Sequence, residues 1–103
     1  MNEAPAQILV DIDPDLADLV PGYLANRRAD VARVRLAITE ADWAGIGRLA
    51  HGLKGSGGGY GFDPISVIGA GMEKAARVED PVEVNRFVNM LEDYLARVRP
   101  VFG

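Results

Sequence analysis

The apolar residues of this chain recur at helical spacing, and this pattern restricts its fold more than any other feature. Hydrophobic side chains stand three or four positions apart in four segments, with one step of seven from Leu24 to Val31, and no segment alternates as a strand would. The periodic positions are Leu16, Val20, Leu24, Val31, Val34 and Ile38, then Ile46, Leu49 and Leu53, then Ile65, Ile68, Met72 and Ala76, and finally Val84, Phe87, Leu91, Tyr94 and Val98. Short joints at 39–41, 59–62 and 78–80 suit antiparallel neighbours. The pattern therefore predicts an all-α, antiparallel up-and-down four-helix bundle with a short N-terminal helical extension.

Aspartate-proline pairs predict where three helices begin, because aspartate can cap free amides and proline fits the first helical position. Glu83 is expected to complete a capping box with Asp80. Asp42 could cap another helix, and Pro21 is expected to break or kink the start of the first one. The three pairs are Asp13-Pro14, Asp63-Pro64 and Asp80-Pro81.

Length and composition predict one domain over residues 1–103, with a core of about 13–99, because 103 residues that are 49% hydrophobic suffice for one core. The chain has no cysteine, which excludes disulfides and thiolate chemistry and favours a reducing compartment, the cytoplasm. No apolar stretch reaches membrane length, and Met1 to Gln7 lack the pattern of a leader. A net charge of -4, with no basic run beyond Arg27-Arg28, argues against nucleic acid. Proteins are the expected partners of a monomer.

The segment from Asp42 to Gly59 combines helical apolar spacing with an unusual number of glycines. Each interior glycine costs a helix ~1 kcal/mol relative to alanine, against the roughly 5–15 kcal/mol that stabilise a domain. We therefore expect another benefit of these glycines to compensate for their cost to helix stability. Its glycines are Gly45, Gly47, Gly52, Gly55, Gly57, Gly58 and Gly59.

His51, the only histidine, is expected to face outward from this helix. At about 100° per residue, the core face lies opposite it and carries Ile46, Leu49, Leu53 and Gly57. Ser56 lies about 140° away by the same geometry and is expected to pack or to form a hydrogen bond. Small or basic residues fall within roughly 60° of His51: Ala44, Gly47, Arg48, Lys54, Gly55 and Gly58.

These neighbours suit chemistry on an anionic group. Small residues let another protein approach the ring, and an imidazole with an unperturbed pKa of ~6.5 is largely neutral and nucleophilic at neutral pH. A phosphoryl group on the ring would be stabilised by Lys54 and by Arg48. His51 is therefore the candidate phosphoacceptor.

Other interpretations of these residues are less favoured. A histidine with a purely structural role would not explain its small and basic surroundings. A metal site is set aside because no acidic residue shares the face of His51. Trp43, Tyr60 and Phe62 are expected to close the core rather than to form a ligand cage.

The stretch from His51 to Ser56, His-Gly-Leu-Lys-Gly-Ser, followed by Gly61, resembles the His-x-Leu-Lys-Gly-Ser signature of histidine-containing phosphotransfer (HPt) domains. The resemblance extends over about residues 13–98 and includes Asp42-Trp43 and the stretch Met72 to Ala76. It implies that His51 is the phosphoacceptor through its outer ring nitrogen, that Lys54 supports the phosphate, and that Gly61 turns the chain. It also implies a docking role for Gly55. The full expectation is a docking surface of Ala44, Gly47, Gly55 and Gly58 and a structural motif of Leu53, Ser56 and Gly61.

The function that the resemblance implies is reversible phosphoryl transfer in a two-component phosphorelay. The partners would be receiver domains of response regulators, with a hybrid histidine kinase as a further candidate. No ATP site is evident, so the chain would be a phosphocarrier rather than an autonomous enzyme. It would bind no cofactor, and Mg²⁺ would belong to the receiver. The alternative is a non-catalytic helical adaptor that docks or sequesters a receiver; a small-molecule enzyme would need more converging polar groups.

Overall fold

The computed structural model describes residues 6–103, which form four α-helices and two short strands. Residues 1–5, which include most of the segment Met1 to Gln7, lie outside the described residues. Within the described part, no helix is long and apolar enough to cross a membrane. The order is β1 (Ile8–Ile12), a 3₁₀ turn (Pro14–Leu16), α1 (Val20–Thr39), α2 (Trp43–Ser56), a second 3₁₀ turn (Gly58–Tyr60), α3 (Asp63–Arg77), α4 (Pro81–Arg97) and β2 (Val98–Phe102). The predicted helical bundle is therefore confirmed.

The four helices pack around one hydrophobic cluster. α1 packs against α2 and α4, and α3 packs against the same two helices from the other side. The cluster extends from Ile12 to Leu95 and includes the periodic positions Ile46 and Leu53 of α2, while Leu49 packs at its edge. One face of α2 is thereby buried and the opposite face is left to solvent.

The two strands were not predicted. β1 and β2 pair in parallel, from Ile8 with Val98 to Ile12 with Phe102. The predicted N-terminal helical extension is wrong, because β1 and a 3₁₀ turn occupy that segment, and the assignment of Val98 to the fourth helix is wrong as well. Pro100 disfavours helical backbone at the residue before it, so α4 ends at Arg97 and the chain continues extended.

Two of the predicted helix starts are made by side-chain caps. The Asp42 carboxylate accepts a hydrogen bond from the Gly45 amide (2.9 Å) and begins α2. Asp80 accepts one from the Glu83 amide (3.1 Å) and begins α4. Glu83 does not complete a capping box, because its carboxylate pairs with Arg86 instead (2.8 Å).

The other two starts differ from the prediction. Asp13 caps only the first 3₁₀ turn, and α1 begins later, at Val20, with Pro21 in its first turn rather than at a kink. Phe62, and not Asp63, occupies the cap position of α3. Its burial in the core fixes that start without a side-chain hydrogen bond.

Candidate functional site

His51 lies on the exposed face of α2. Ile46, Ala50 and Leu53 turn the other face into the core, and the His51 side chain is 72% exposed. The ring is therefore accessible to another macromolecule.

A carboxylate from the neighbouring helix holds one nitrogen of this ring. Nδ1 of His51 lies 2.9 Å from Oε2 of Glu73 in α3, and Nζ of Lys54 lies 3.6 Å from Oε1 of the same carboxylate. Glu73 is only 19% exposed, so it is the most enclosed member of this cluster. Glu73 reaches α2 because it stands four residues after Gly69, on the face of α3 that packs there.

The hydrogen bond to Glu73 determines which ring nitrogen is available for chemistry. The bond from His51, with the Lys54 charge beside it, holds the pKa of Glu73 below its ordinary value of 4.5. Glu73 is therefore ionised near neutral pH and can only accept, so Nδ1 of His51 carries the proton and donates it. In the neutral ring the lone pair then stands on Nε2, the nitrogen away from Glu73.

Glu73 is the functional residue that the sequence analysis missed. The statement that no acidic residue shares the face of His51 is wrong, because the helical projection of α2 contains nothing about the side chains of α3. Glu73 does fall within the stretch Met72 to Ala76 that resembles the HPt context, which was the one available signal. Even so, the residues that the structure describes contain no group of three or more potential ligands placed to hold a metal ion.

Six of the seven glycines of this region fall into two groups, and a Cβ at the seventh, Gly58, would be in ordinary contact with Asp63 and Ser66. At Gly45 and Gly57, packing within the protein requires glycine. A Cβ at Gly45 would clash with the Asp42 cap, and one at Gly57 would lie 2.7 Å from the Ser66 amide nitrogen. In the second group an added Cβ would meet nothing within 4 Å, so packing within the protein does not require glycine there. This second group consists of Gly47, Gly52, Gly55 and Gly59.

The remaining residues predicted to surround His51 are arranged as follows. Ala44 and Arg48 are exposed on α2, and Arg48 forms no ion pair within residues 6–103. Gly58 lies in the 3₁₀ turn after α2, where the helical projection does not define its position relative to His51. Its amide donates to Oγ of Ser66 (2.8 Å).

The C-terminal part of the signature anchors the end of α2. Leu53 is buried, and Oγ of Ser56 lies 2.9 Å from the hydroxyl of Tyr23 in α1. Tyr60 stacks on Tyr23 with ring centroids 4.1 Å apart. Gly61 turns the chain at a φ of 92°, which favours glycine. These contacts hold the histidine helix against α1.

The aromatic residues near the ends of α2 belong to the core. Phe62 is fully buried, and Trp43 and Tyr60 pack against the same cluster.

One of three comparisons with known proteins found a match. The model of the Hpt domain family matches residues 18–99, which include all four helices, His51 and Glu73. Neither a search of curated proteins nor a search of solved structures found a match. Because the family match covers most of the sequence, the chain belongs to the Hpt domain family.

Proposed function

We propose that this protein carries a phosphoryl group on Nε2 of His51, accepting it from the aspartate of one receiver domain and passing it to another. Histidine phosphotransfer in a phosphorelay is the role of the Hpt family, whose members interact with receiver domains of response regulators. The observation that supports His51 most directly is its exposed ring, held through Nδ1 by Glu73 so that Nε2 is open.

The chemistry follows from this arrangement. The Nε2 lone pair attacks the phosphorus of an aspartyl phosphate, the P–Nε2 bond forms, and the P–O bond breaks with its electrons returning to the carboxylate. Positive charge develops on the ring, where the Glu73 carboxylate stabilises it. Lys54 and Arg48 would compensate the charge of the transferred group. Mg²⁺ would be supplied by the receiver domain.

The partner surface would surround His51 on α2. The backbone of α2 is exposed or nearly exposed at Ala44, Gly47 and Gly55, because these residues have a small side chain or none. An added Cβ at Gly55 would have nothing within 4 Å. Since internal packing does not require glycine at Gly47 or Gly55, we propose that close approach by a receiver does. Gly58 would extend this surface beyond the end of α2.

The alternative is an adaptor that binds a receiver without accepting phosphate. The accessible Nε2 and the carboxylate on Nδ1 favour the carrier, since docking alone would need neither. An adaptor would bind a receiver equally well whether or not His51 can react.

The deciding experiment mixes the protein with candidate phosphorylated receivers and locates acid-labile phosphate by mass spectrometry. Transfer to His51 in the wild type and none in His51→Gln is expected. Labelling of His51→Gln at the wild-type rate would refute the assignment. Receiver binding without any transfer would support the adaptor instead.

The finer architectural predictions also belong to this proposal. The short connections and the packing of each helix against its sequence neighbours support up-and-down, antiparallel order. We further propose one domain over residues 1–103, acting as a monomer in the cytoplasm, with a hybrid histidine kinase among its possible phosphate sources.

A further inference from the structure

We propose that Glu73 also sets how fast the phosphorylated protein gives up its phosphoryl group, by keeping a proton on Nδ1 of phosphorylated His51. The inference rests on the proposed function and concerns its second half, the release step. A carboxylate at this position would shorten the lifetime of the phosphorylated protein.

The geometry allows Glu73 to act in the phosphorylated state. Its Oε2 atom lies 2.9 Å from Nδ1, whereas the phosphoryl group would be attached to Nε2, on the other side of the ring. Phosphorylation therefore does not displace Glu73. Lys54, 3.6 Å from the other carboxylate oxygen, helps to hold the carboxylate in place.

Protonation of Nδ1 decides the quality of the leaving group. When the P–Nε2 bond breaks, its electron pair returns to Nε2. With a proton on Nδ1 the departing ring is neutral imidazole, and without that proton it is an imidazolate anion, a much poorer leaving group. The phosphorus forms its new bond to an aspartate oxygen of a receiver or to a water oxygen, which then loses a proton to solvent.

The other charged groups near the ring either oppose its protonation or do not affect it. A negative charge beside Nδ1 favours the protonated ring, while Lys54 offsets part of that charge and Arg48 adds a positive charge from the same helix. α1, the other helix packed against α2, brings Tyr23 to Ser56 rather than to His51. Because His51 is well exposed, solvent limits the effect to about two- to fivefold in rate.

The test uses potassium phosphoramidate, a small phosphoryl donor that requires no partner protein. Wild type, Glu73→Gln and Glu92→Gln are phosphorylated and freed of donor, and loss of phosphohistidine is followed by ³¹P NMR between about pH 5 and pH 9, a range that includes the ~6.5 of free imidazole. Glutamine can still accept from Nδ1 but carries no charge. Glu92 lies on α4, where it pairs with Arg35, so Glu92→Gln makes the same charge change away from the ring.

The expected result is a phosphohistidine that survives about two- to fivefold longer in Glu73→Gln than in the wild type near neutral pH. The lifetimes should converge near the acid end, where the ring is protonated in every variant, and Glu92→Gln should follow the wild type throughout. If Glu73→Gln changed the lifetime only by disturbing the fold, the difference from the wild type would persist at the acid end of the pH range.

The remaining outcomes separate the two proposals. Equal or shorter lifetimes in Glu73→Gln near neutral pH would overturn the inference alone. A wild type that phosphoramidate labels at His51 but that no receiver labels would overturn the proposed function. Failure of phosphoramidate to label His51 would contradict an accessible Nε2 and overturn both.

Discussion

Gly69 of α3 lies directly against the backbone of Lys54 in α2. A Cβ atom at position 69 would lie 2.5 Å from the amide nitrogen of Lys54 and 2.8 Å from the carbonyl oxygen of Ala50. The two helices therefore meet backbone to backbone. Since Glu73 follows one turn later on α3, this contact sets the distance across which Glu73 reaches His51.

Replacing Gly69 by alanine should force α2 and α3 apart. The free energy of unfolding is expected to fall by about 1–3 kcal/mol through overpacking, and the contact between Glu73 and His51 should lengthen. Urea denaturation measures the first effect. Gly55→Ala is the matched control, because its Cβ meets nothing and alanine should raise the stability by ~1 kcal/mol. If Gly69→Ala were as stable as Gly55→Ala, the two helices would not be in contact at Gly69.

A leucine at Gly55 should obstruct docking while leaving the helix intact. The site has open space for the side chain, so the fold should persist, but a partner could no longer approach the backbone beside His51. We expect phosphoryl transfer from a receiver to slow by about ten- to a hundredfold, as for other misplaced reactants. Rapid-quench kinetics measure this rate.

Gly58→Leu tests the edge of the same surface, and Asn89→Leu is the control. Asn89 is exposed on α4, which packs against α1 and α3, so this change should leave transfer at the wild-type rate. If the variants at Gly55 and Gly58 also transferred at that rate, the docking surface would have to lie elsewhere.

Removing the Lys54 charge should weaken the phosphorylated state. Lys54→Ala takes away a cation near the phosphoryl group and leaves Glu73 unopposed, so acceptance should slow or phosphohistidine should be lost faster, by about two- to fivefold at an exposed site. Lys74→Ala, on α3 beside Phe87 rather than His51, is the control. Identical rate and lifetime for Lys54→Ala and the wild type would remove Lys54 from the site.

The tautomer of His51 is a direct consequence of its contact with Glu73. ¹⁵N NMR of the ring near neutral pH should show the proton on Nδ1, because an ionised carboxylate can only accept. Glu73→Ala should lose this preference. A proton on Nε2 in the wild type would contradict the arrangement.

The same contact predicts how stability depends on pH. The folded pKa of Glu73 is lowered by the hydrogen bond from His51 and by Lys54, so its contribution is complete above the ordinary value of 4.5 and is lost as the pH falls through the lower folded value. The stability difference between the wild type and Glu73→Gln should therefore shrink below pH 4.5. Urea denaturation as a function of pH measures it, and a difference that grew in acid would be inconsistent with the lowered pKa.

The helices could be predicted from the sequence because their signals are local. The apolar spacing and the caps at Asp42 and Asp80 act within one or two turns. β1 and β2 could not be predicted in this way, because the segment that begins at Ile8 forms a strand only by pairing with the segment that begins at Val98, at the far end of the described chain. Pro100 was the local sign that α4 had to stop before it.

The residues of the candidate site also separate into those that local sequence predicts and one that depends on a contact between helices. His51, Lys54 and Arg48 lie on one helix, so their spacing alone predicts that they share a face. Glu73 joins them only because Gly69 lets α3 approach α2 closely, and the register between two helices is not contained in the periodicity of either one.

Tyr23 and Tyr94 offer a paired test of the core. The hydroxyl of Tyr23 has a partner in Ser56, whereas that of Tyr94 is buried with no hydrogen-bond partner among residues 6–103. Tyr23→Phe should lower the free energy of unfolding by about 0.5–1.5 kcal/mol, and Tyr94→Phe should leave it unchanged or raise it by ~1 kcal/mol. Urea denaturation at neutral pH compares them, and a clear loss in Tyr94→Phe would reveal a partner for that hydroxyl.

Alkaline pH should separate the wild type from Tyr94→Phe further. Burial raises the pKa of Tyr94 above its ordinary value of 10.0, with Asp63 and Tyr23 adding to the effect. This hydroxyl therefore causes no pH-dependent loss of stability below that value, and stability falls as the pH rises from there through the folded pKa, because only the unfolded chain ionises readily. The wild type should lose stability above pH 10.0 more steeply than Tyr94→Phe, in which this ionisation is absent. Parallel losses in urea denaturation would show that Tyr94 ionises as easily in the folded protein as in the unfolded one.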